Sequence, residues 1–302
     1  MPLPLAVVPL LAHPARQDEP TIEDEISAKL RAGQIDAALE EARAAVGRFP
    51  NSSQIHQLLG AALFKKGLNA DAREAFRLAI ELAPGLPQNY YNLALIELSE
   101  KRYAEATTPL ERYLRLNPEN AEAHLLLGRA YHNLNRTLAA IDQFKKAISL
   151  QPHLPLAHYH LGYAYQSQGN LKEALDEFKQ EAEYNPRFYD SYWLAGNIEL
   201  GALSLDAAEK LFRDGIKVKP QAYQAHYGLG RVLLTRKQFP AAEAELKHAL
   251  ESNPNHLETH YALGRVYQQM GSTEDAQREF EVCSRLNAQR QKMQSGIAGQ
   301  NP

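Results

Sequence analysis

Residues 155–188 read PLAHYHLGYAYQSQGNLKEALDEFKQEAEYNPRF, and the spacing of a few residues within them decides the fold. Counting Pro155 as local position 1, Leu161 stands at 7, Gly162 at 8, Tyr165 at 11, Ala174 at 20, Phe178 at 24 and Pro186 at 32. Positions 4, 7, 8 and 11 have the spacing of one helical face, and 20, 24 and 27 give the same stripe on a second helix. Between them Gln168-Gly169-Asn170 suits a left-handed helix C-terminus followed by a new helix start. The stretch is therefore two short amphipathic helices, closed by a proline that cannot continue the second one.

The same pattern extends outward in both directions. Prolines recur at 50, 84, 118, 152, 186, 220 and 254, each 34 residues after the last. Leu59, Gly60, Leu63, Ala72, Phe76 and Pro84 repeat the register, as do Leu127, Gly128, Tyr131, Ala140, Phe144 and Pro152. A fixed period of this size means stacked copies of one unit. The copies run as 19–52, 53–86, 87–120, 121–154, 155–188, 189–222, 223–256 and 257–290, the last with Ala288 in place of proline. Small residues at positions 8 and 20 lie on the apolar faces, where they let two helix backbones approach closely.

This chain resembles the tetratricopeptide repeat proteins over residues 19–290. The resemblance implies an all-α, right-handed α-solenoid of about eight helix-turn-helix repeats. It also implies a concave groove lined by the first helices, and a role as a non-catalytic protein-interaction scaffold. Two ligand habits of the family are not carried over. No three successive copies supply the lysine and asparagine set of a carboxylate clamp. Position 6 reads Leu58, Asn92, Leu126, His160, Leu194, Gly228 and Ala262, not an asparagine ladder.

Composition suits a scaffold. A chain of 302 residues is long for a single core, but a solenoid grows through nearest-neighbour contacts. The net charge of −3, with both signs interspersed, offers no basic field for nucleic acid. The one cysteine, Cys283, falls at position 27, where other copies carry Ala79, Ala147 and Ala249, and reads as a small core residue.

No catalytic constellation, cofactor fingerprint or metal motif emerges. Gly228-Leu229-Gly230 lacks the strand and third glycine of a dinucleotide loop. Asn51-Ser52-Ser53 and Asn135-Arg136-Thr137 match the short glycosylation pattern, which carries little weight alone. His56, His124, His158, His226 and His260 share position 4, but equivalent helices lie about 8–10 Å or more apart, too far for two rings to share one ion. They read as aromatic-sized core residues with a polar tip. Glu97 and Glu199, at position 11 of copies three and six, must find a partner or reach solvent. The expected partner is a neighbouring Tyr, His or Arg.

The ends depart from the pattern. Copy one has Glu25, Ile26 and Lys29 at positions 7, 8 and 11, as expected of a terminal repeat facing water. Leu3 to Ala12 is apolar enough for the core of an export signal and too short for a membrane span. Pro4 and Pro9 interrupt it and no Lys or Arg precedes it, so residues 1–18 read equally as a degenerate signal or a disordered leader. The first implies an exported or periplasmic protein and the second a cytoplasmic one. Residues 291–302 read as a polar tail whose start lengthens the last helix.

If positions 4, 7, 8 and 11 are packed, positions 2, 5, 9 and 12 face the groove. Position 5 supplies Tyr91, Tyr159, Trp193, Tyr227 and Tyr261, and position 9 supplies Arg129, Tyr163, Asn197, Arg231 and Arg265. Two readings stand: these rings pack laterally between adjacent first helices, or they and the arginines receive a protein or peptide ligand. Asn92, His132, Asn133, His160, Gln166, Gln268 and Gln269 are polar companions for a peptide main chain, and copies four to eight are the richer half. A further reading is a self-associating assembly component of a larger complex, in the envelope if the leader is a signal. The sequence leaves the oligomeric state open.

Overall fold

A computed structural model describes residues 18–298, with side chains to residue 293; the leader reading falls on residues outside this range. The described residues form sixteen α-helices and no strand. Their contacts divide the chain into two compact units, residues 1–134 and 135–302.

The first unit holds α1 (Glu19–Arg31), α2 (Ile35–Arg48), α3 (Ser53–Lys65), α4 (Asn69–Leu82), α5 (Pro87–Ser99), α6 (Tyr103–Leu116) and α7 (Ala121–Asn133). The second holds α8 (Thr137–Leu150), α9 (Ala157–Ser167), α10 (Leu171–Tyr184), α11 (Tyr189–Gly201), α12 (Leu205–Val218), α13 (Tyr223–Thr235), α14 (Phe239–Ser252), α15 (Leu257–Met270) and α16 (Thr273–Ala298). Within each unit every helix packs on the next, and alternate helices touch as well, α1 with α3, α11 with α13 and α13 with α15. These are solenoid contacts, with the core strung along the repeats. The last helix runs past the repeat's end to Ala298, so most of the expected polar tail is helical.

Close approach inside a hairpin rests on the glycine at position 8. A Cβ added to Gly60 would come within 2.9 Å of the Phe76 ring, at Gly162 within 2.9 Å of Phe178, and at Gly196 within 2.7 Å of Phe212. Leu246 covers Gly230 and Phe280 covers Gly264 in the same way, each at 2.7 Å. Gly228 bears on the preceding copy: its Cβ would meet Phe212 at 2.3 Å, so that one ring is seated between two glycine-bearing helices.

The turn between paired helices is fixed by one residue. Gly33, Gly67, Gly169 and Gly271, all at position 15, have φ between 74° and 82°. Lys101, Asn135, Leu203 and Lys237 hold the same position with φ of 58° to 61°. The following N–H reaches back to the carbonyl at position 11, as from Leu68 to Leu63 (2.9 Å) and from Ser204 to Glu199 (2.9 Å). This bond is one half of the Schellman ending, and it requires the left-handed residue whether or not glycine is there.

Successive copies are joined by a bond from position 4 to the recurrent proline. The Nε2 atoms of His56, His124, His158, His226 and His260 lie 2.8–3.1 Å from the carbonyl oxygens of Pro50, Pro118, Pro152, Pro220 and Pro254. Where position 4 is tyrosine, the hydroxyls of Tyr90 and Tyr192 donate to Pro84 and Pro186 at 3.1 and 3.2 Å. The polar tip of the expected core aromatic therefore has one repeated task. In three copies the other ring nitrogen meets a carboxylate at position 23: His158 with Glu177 (2.6 Å), His226 with Glu245 (2.7 Å) and His260 with Glu279 (2.6 Å).

One first helix departs from register. α9 starts at local position 3 rather than 1, behind Leu156 with φ 67°. Glu181, almost fully buried where alanine is usual, accepts from the backbone N–H groups of Leu156 (3.0 Å) and Tyr159 (3.3 Å). Its carboxylate caps the shortened helix from the neighbouring one, which satisfies both the charge and the orphan donors. Glu97 pairs with Arg73 (2.9 Å) and Arg102 (2.7 Å), as expected, whereas Glu199 pairs with a lysine, Lys179, at 2.7 Å.

Leu203 is 71% exposed, so its side chain contributes little packing to offset its left-handed backbone. Leu203→Gly is expected to raise stability by about 0.5–1 kcal/mol, the strain relieved less the entropy that glycine adds to the unfolded chain. Urea unfolding measures it, and a loss of stability would show that position 15 is not under strain. A second expectation concerns pH. The Glu245 carboxylate raises the His226 pKa against the effect of burial, aided by the Pro220 carbonyl and Glu251, with the His248 ring 5.5 Å away. For His158, burial opposes protonation, but Glu177 outweighs it and the pKa is again raised. A raised folded pKa gives stability that is complete below the unfolded value of about 6.5 and is lost as pH climbs through the folded value. The stability these pairs contribute should therefore shrink on going from mildly acidic to mildly alkaline buffer, while His132 and His256, whose pKa values burial lowers, contribute the opposite trend. The melting-temperature advantage of wild type over His226→Gln should narrow as pH rises, and a constant difference would count against the pairing.

Candidate functional site

The first helices place the predicted side chains by register, but burial divides them. Tyr91 and Arg129 lie in the first unit and the others in the second. Tyr91 is half-buried, its ring 5.0 Å from Tyr113, and burial together with Glu122 pushes its phenol pKa up. Arg129 is exposed on α7.

In the second unit Tyr159 is half-buried among Phe178, Phe188 and Tyr163, with the Phe188 ring edge-on at 4.9 Å. Burial raises its pKa as well. Trp193 packs against the cluster of Phe178, Leu194 and Ile198 and also against that of Tyr189, Ala222 and Ala225. Lateral packing thus accounts for much of the surface of these rings. Tyr163 remains 45% exposed. Among the polar companions, His160 stacks on Phe144 with ring centres 5.7 Å apart. Asn197 and Gln166 line a separate, mainly apolar hollow of about 570 Å³ with Leu171, Leu175 and Ile198.

The structure brings four of the predicted residues together. Tyr227, Arg231, Tyr261 and Arg265 line one cleft of about 640 Å³ between α13 and α15. Two successive copies contribute the same pair, tyrosine at position 5 and arginine one turn later. Tyr227 is half-buried beside His256, whose ring lies 5.0 Å away, and the Arg231 guanidinium sits 5.5 Å over the Tyr227 ring. Burial lifts the Tyr227 pKa while Arg231 pulls it down. Tyr261 is 54% exposed and touches Phe280 at 5.9 Å. Both arginines are exposed.

Lys237, Phe239 and Glu258 complete the lining with Leu234, Thr235, Ala262 and Gln269. Sequence reasoning had singled out Gln269 but not Lys237 or Phe239. Those two come from the turn and the start of α14, outside the outward face of the first helices. Glu258 stands at position 2 of that face and was legible there; it pairs with His256 at 3.2 Å and lies 3.8 Å from Arg290. Among the described residues no carboxylate pairs with Arg231, Arg265 or Lys237, while Arg73, Arg102, Arg213, Arg236 and Lys247 all have such partners. No group of three metal-ligating side chains occurs, and no helix is long and apolar enough to cross a membrane, among the described residues.

Tetratricopeptide repeat models match residues 24–87, 91–155 and 194–256, together more than half of the chain, and two further models of the same repeat match 155–188 and 237–298. The chain belongs to the tetratricopeptide repeat family, whose members are typically interaction scaffolds without catalytic activity. A solved structure of MamA from Desulfovibrio magneticus is 25% identical, with a TM-score of 0.53 over 55% of this chain and 94% of that one. YrrB, described as a repeat protein of this family with an unusual peptide-binding site, is 21% identical with a TM-score of 0.54 over 61% of this chain and 95% of that one, a likeness of fold. A BBSome complex member BBS4 homolog of Drosophila melanogaster is 30% identical over 101 residues, 33% of this chain. The match spans about a fifth of that relative's length, 21%.

The two tyrosines at position 5 of α13 and α15 should separate by stability. Tyr227→Ala removes a half-buried ring and is expected to cost about 2–4 kcal/mol, whereas Tyr261→Ala is expected to cost less than about 1 kcal/mol. Equal losses in chemical denaturation would overturn the division into packing and surface rings.

Proposed function

We propose that this tetratricopeptide repeat chain is a non-catalytic scaffold that holds a segment of a protein partner in the cleft of its second unit, against Tyr227, Arg231, Tyr261 and Arg265. The observation that carries this reading is the doubled tyrosine–arginine pair opening on one cleft. An exposed face serving structure alone needs only solubilising side chains. Here it presents an exposed ring, which supplies contact area at low entropic cost, and two guanidiniums whose forked donors suit carboxylates and main-chain carbonyls.

Tyr163 is exposed at the equivalent register and is assigned a flanking contact, and Arg129 the same role on the first unit. Tyr91, Tyr159 and Trp193 are half-buried and would offer a partner only an edge. Asn197 belongs to the separate apolar hollow. Because Trp193 joins two packed clusters, its replacement would confuse binding with folding, so the test uses exposed residues.

The Tyr261→Ala, Arg265→Ala double variant should retain native helicity and melting temperature while losing at least about tenfold in retention of partners from a lysate of the source cells, compared by quantitative mass spectrometry against wild type. Unchanged retention would remove the cleft from the binding surface. Light scattering gives an independent check on self-association, since a mass that rises with concentration and falls in the double variant would make the occupant a second copy of the chain.

A further inference from the structure

We infer that the occupant of this cleft is an acidic, extended protein segment whose carboxylates engage Arg231 and Arg265 and whose intervening apolar side chain packs on Tyr261 and Phe239; the inference rests on the cleft being the binding surface.

The chain carries a net charge of −3, yet the cleft is lined by Arg231, Arg265 and Lys237 against the single carboxylate of Glu258. That carboxylate lies 3.2 Å from the His256 ring, whose pKa burial lowers, and 3.8 Å from Arg290, so the cleft keeps three cations against one carboxylate. The three cations have no carboxylate partner among the described residues, whereas Arg213 and Lys247 on the second helices of the same unit each pair with a glutamate one turn away. A cleft that concentrates unneutralised positive charge on an acidic protein attracts and orients an anionic group.

Arg231 and Arg265 occupy the same position on α13 and α15, neighbouring helices that touch, and such helices lie about 8–10 Å apart axis to axis. An extended chain advances about 3.3 Å per residue and alternates its side chains between two faces, so carboxylates two or four residues apart share a face and bridge the two guanidiniums. At four-residue spacing the side chain midway between them shares their face and meets the cleft floor, where Tyr261, Phe239 and Leu234 provide apolar surface. Arg231 is held over the Tyr227 ring, which restrains its donors before the ligand arrives.

The other charged polymer such a cleft could attract is nucleic acid. The wall argues against it: three cations in one cleft, on a chain with no wider basic field, give too few phosphate contacts for a polymer that depends on many.

The test uses the full chain and fluorescence anisotropy with labelled synthetic peptides. The first carries aspartates and glutamates four residues apart with leucine or tyrosine midway between them; the second replaces every acid by its amide; the third replaces them by lysine; the fourth probe is a single-stranded oligonucleotide of similar length. The acidic peptide is expected to bind at least about tenfold more tightly than the amide version, more weakly as salt rises, and about tenfold more weakly to Arg231→Glu, Arg265→Glu, while the lysine peptide binds that double variant better than wild type. Circular dichroism and melting of the variant confirm that it is folded. Equal binding of the acidic and amide peptides, with loss in Tyr261→Ala, would keep the cleft as the site and overturn the acidic assignment. Acidic binding that survives both arginine reversals would overturn the proposed contacts, and no detectable binding of the acidic peptide, or tighter binding of the oligonucleotide, would overturn the ligand class. Partner retention by the Tyr261→Ala, Arg265→Ala variant reports on the cleft itself, independently of these probes.

Discussion

An aromatic ring lying on bare helix backbone is the constraint from which the remaining structure follows. Phe76, Phe178 and Phe212 are almost fully buried, and each fills the space that a Cβ at position 8 would occupy. Burying such a ring contributes roughly 1.5–3 kcal/mol, but only if the first helix presents glycine where the second presents phenylalanine. The contact sets the distance and rotation of the hairpins that carry it, and with them which positions of the first helix point outward. Gly228 extends the principle to neighbouring copies, since Phe212 lies against both Gly196 and Gly228. A two-residue change in sequence periodicity would rotate the outward face away from the cleft.

The turn and the joint convert this local packing into a fixed repeat length. The left-handed residue at position 15 ends one helix and starts the next without spare residues, and four non-glycine side chains accept that conformation where glycine is absent. The bond from position 4 to the proline carbonyl then fixes the entry to each following copy. Histidine and tyrosine interchange there because both are ring-sized and both reach the same acceptor. Insertion of a single residue would break one of these contacts, which is a physical reason for a period that holds over seven prolines.

Much of this was legible in the sequence because it repeats. The helix pairs, the glycine at position 8 and the left-handed turn all follow from register and residue type. The partner of the histidines was not legible, because a proline carbonyl leaves no side-chain signature; what recurs is the proline itself, which reads first as a helix stop. Glu181 was missed for a different reason. Position 27 is an alanine site, and a buried carboxylate there becomes intelligible only once α9 is seen to start late and to leave its donors uncapped. In the candidate cleft, periodicity located the two tyrosine–arginine pairs, whereas Lys237 and Phe239 enter from a turn and a second helix that a helical-face argument does not reach.

Repetition also explains why equivalent residues differ in what they offer a partner. Tyr227 and Tyr261 share a position, a helix face and a neighbouring arginine, yet one is half-buried and the other exposed. The difference is the next copy: α15 and its leading residue His256 cover one side of Tyr227, while among the described residues no further first helix lies beyond Tyr261. A position-5 ring is therefore a packing residue where a following copy covers it and an exposed ring where none does. The arginines escape this rule, since a long side chain at position 9 clears the neighbouring helix in either case. The cleft owes its character to that asymmetry, with a ring and guanidinium stacked together on α13 facing a more exposed tyrosine–arginine pair on α15.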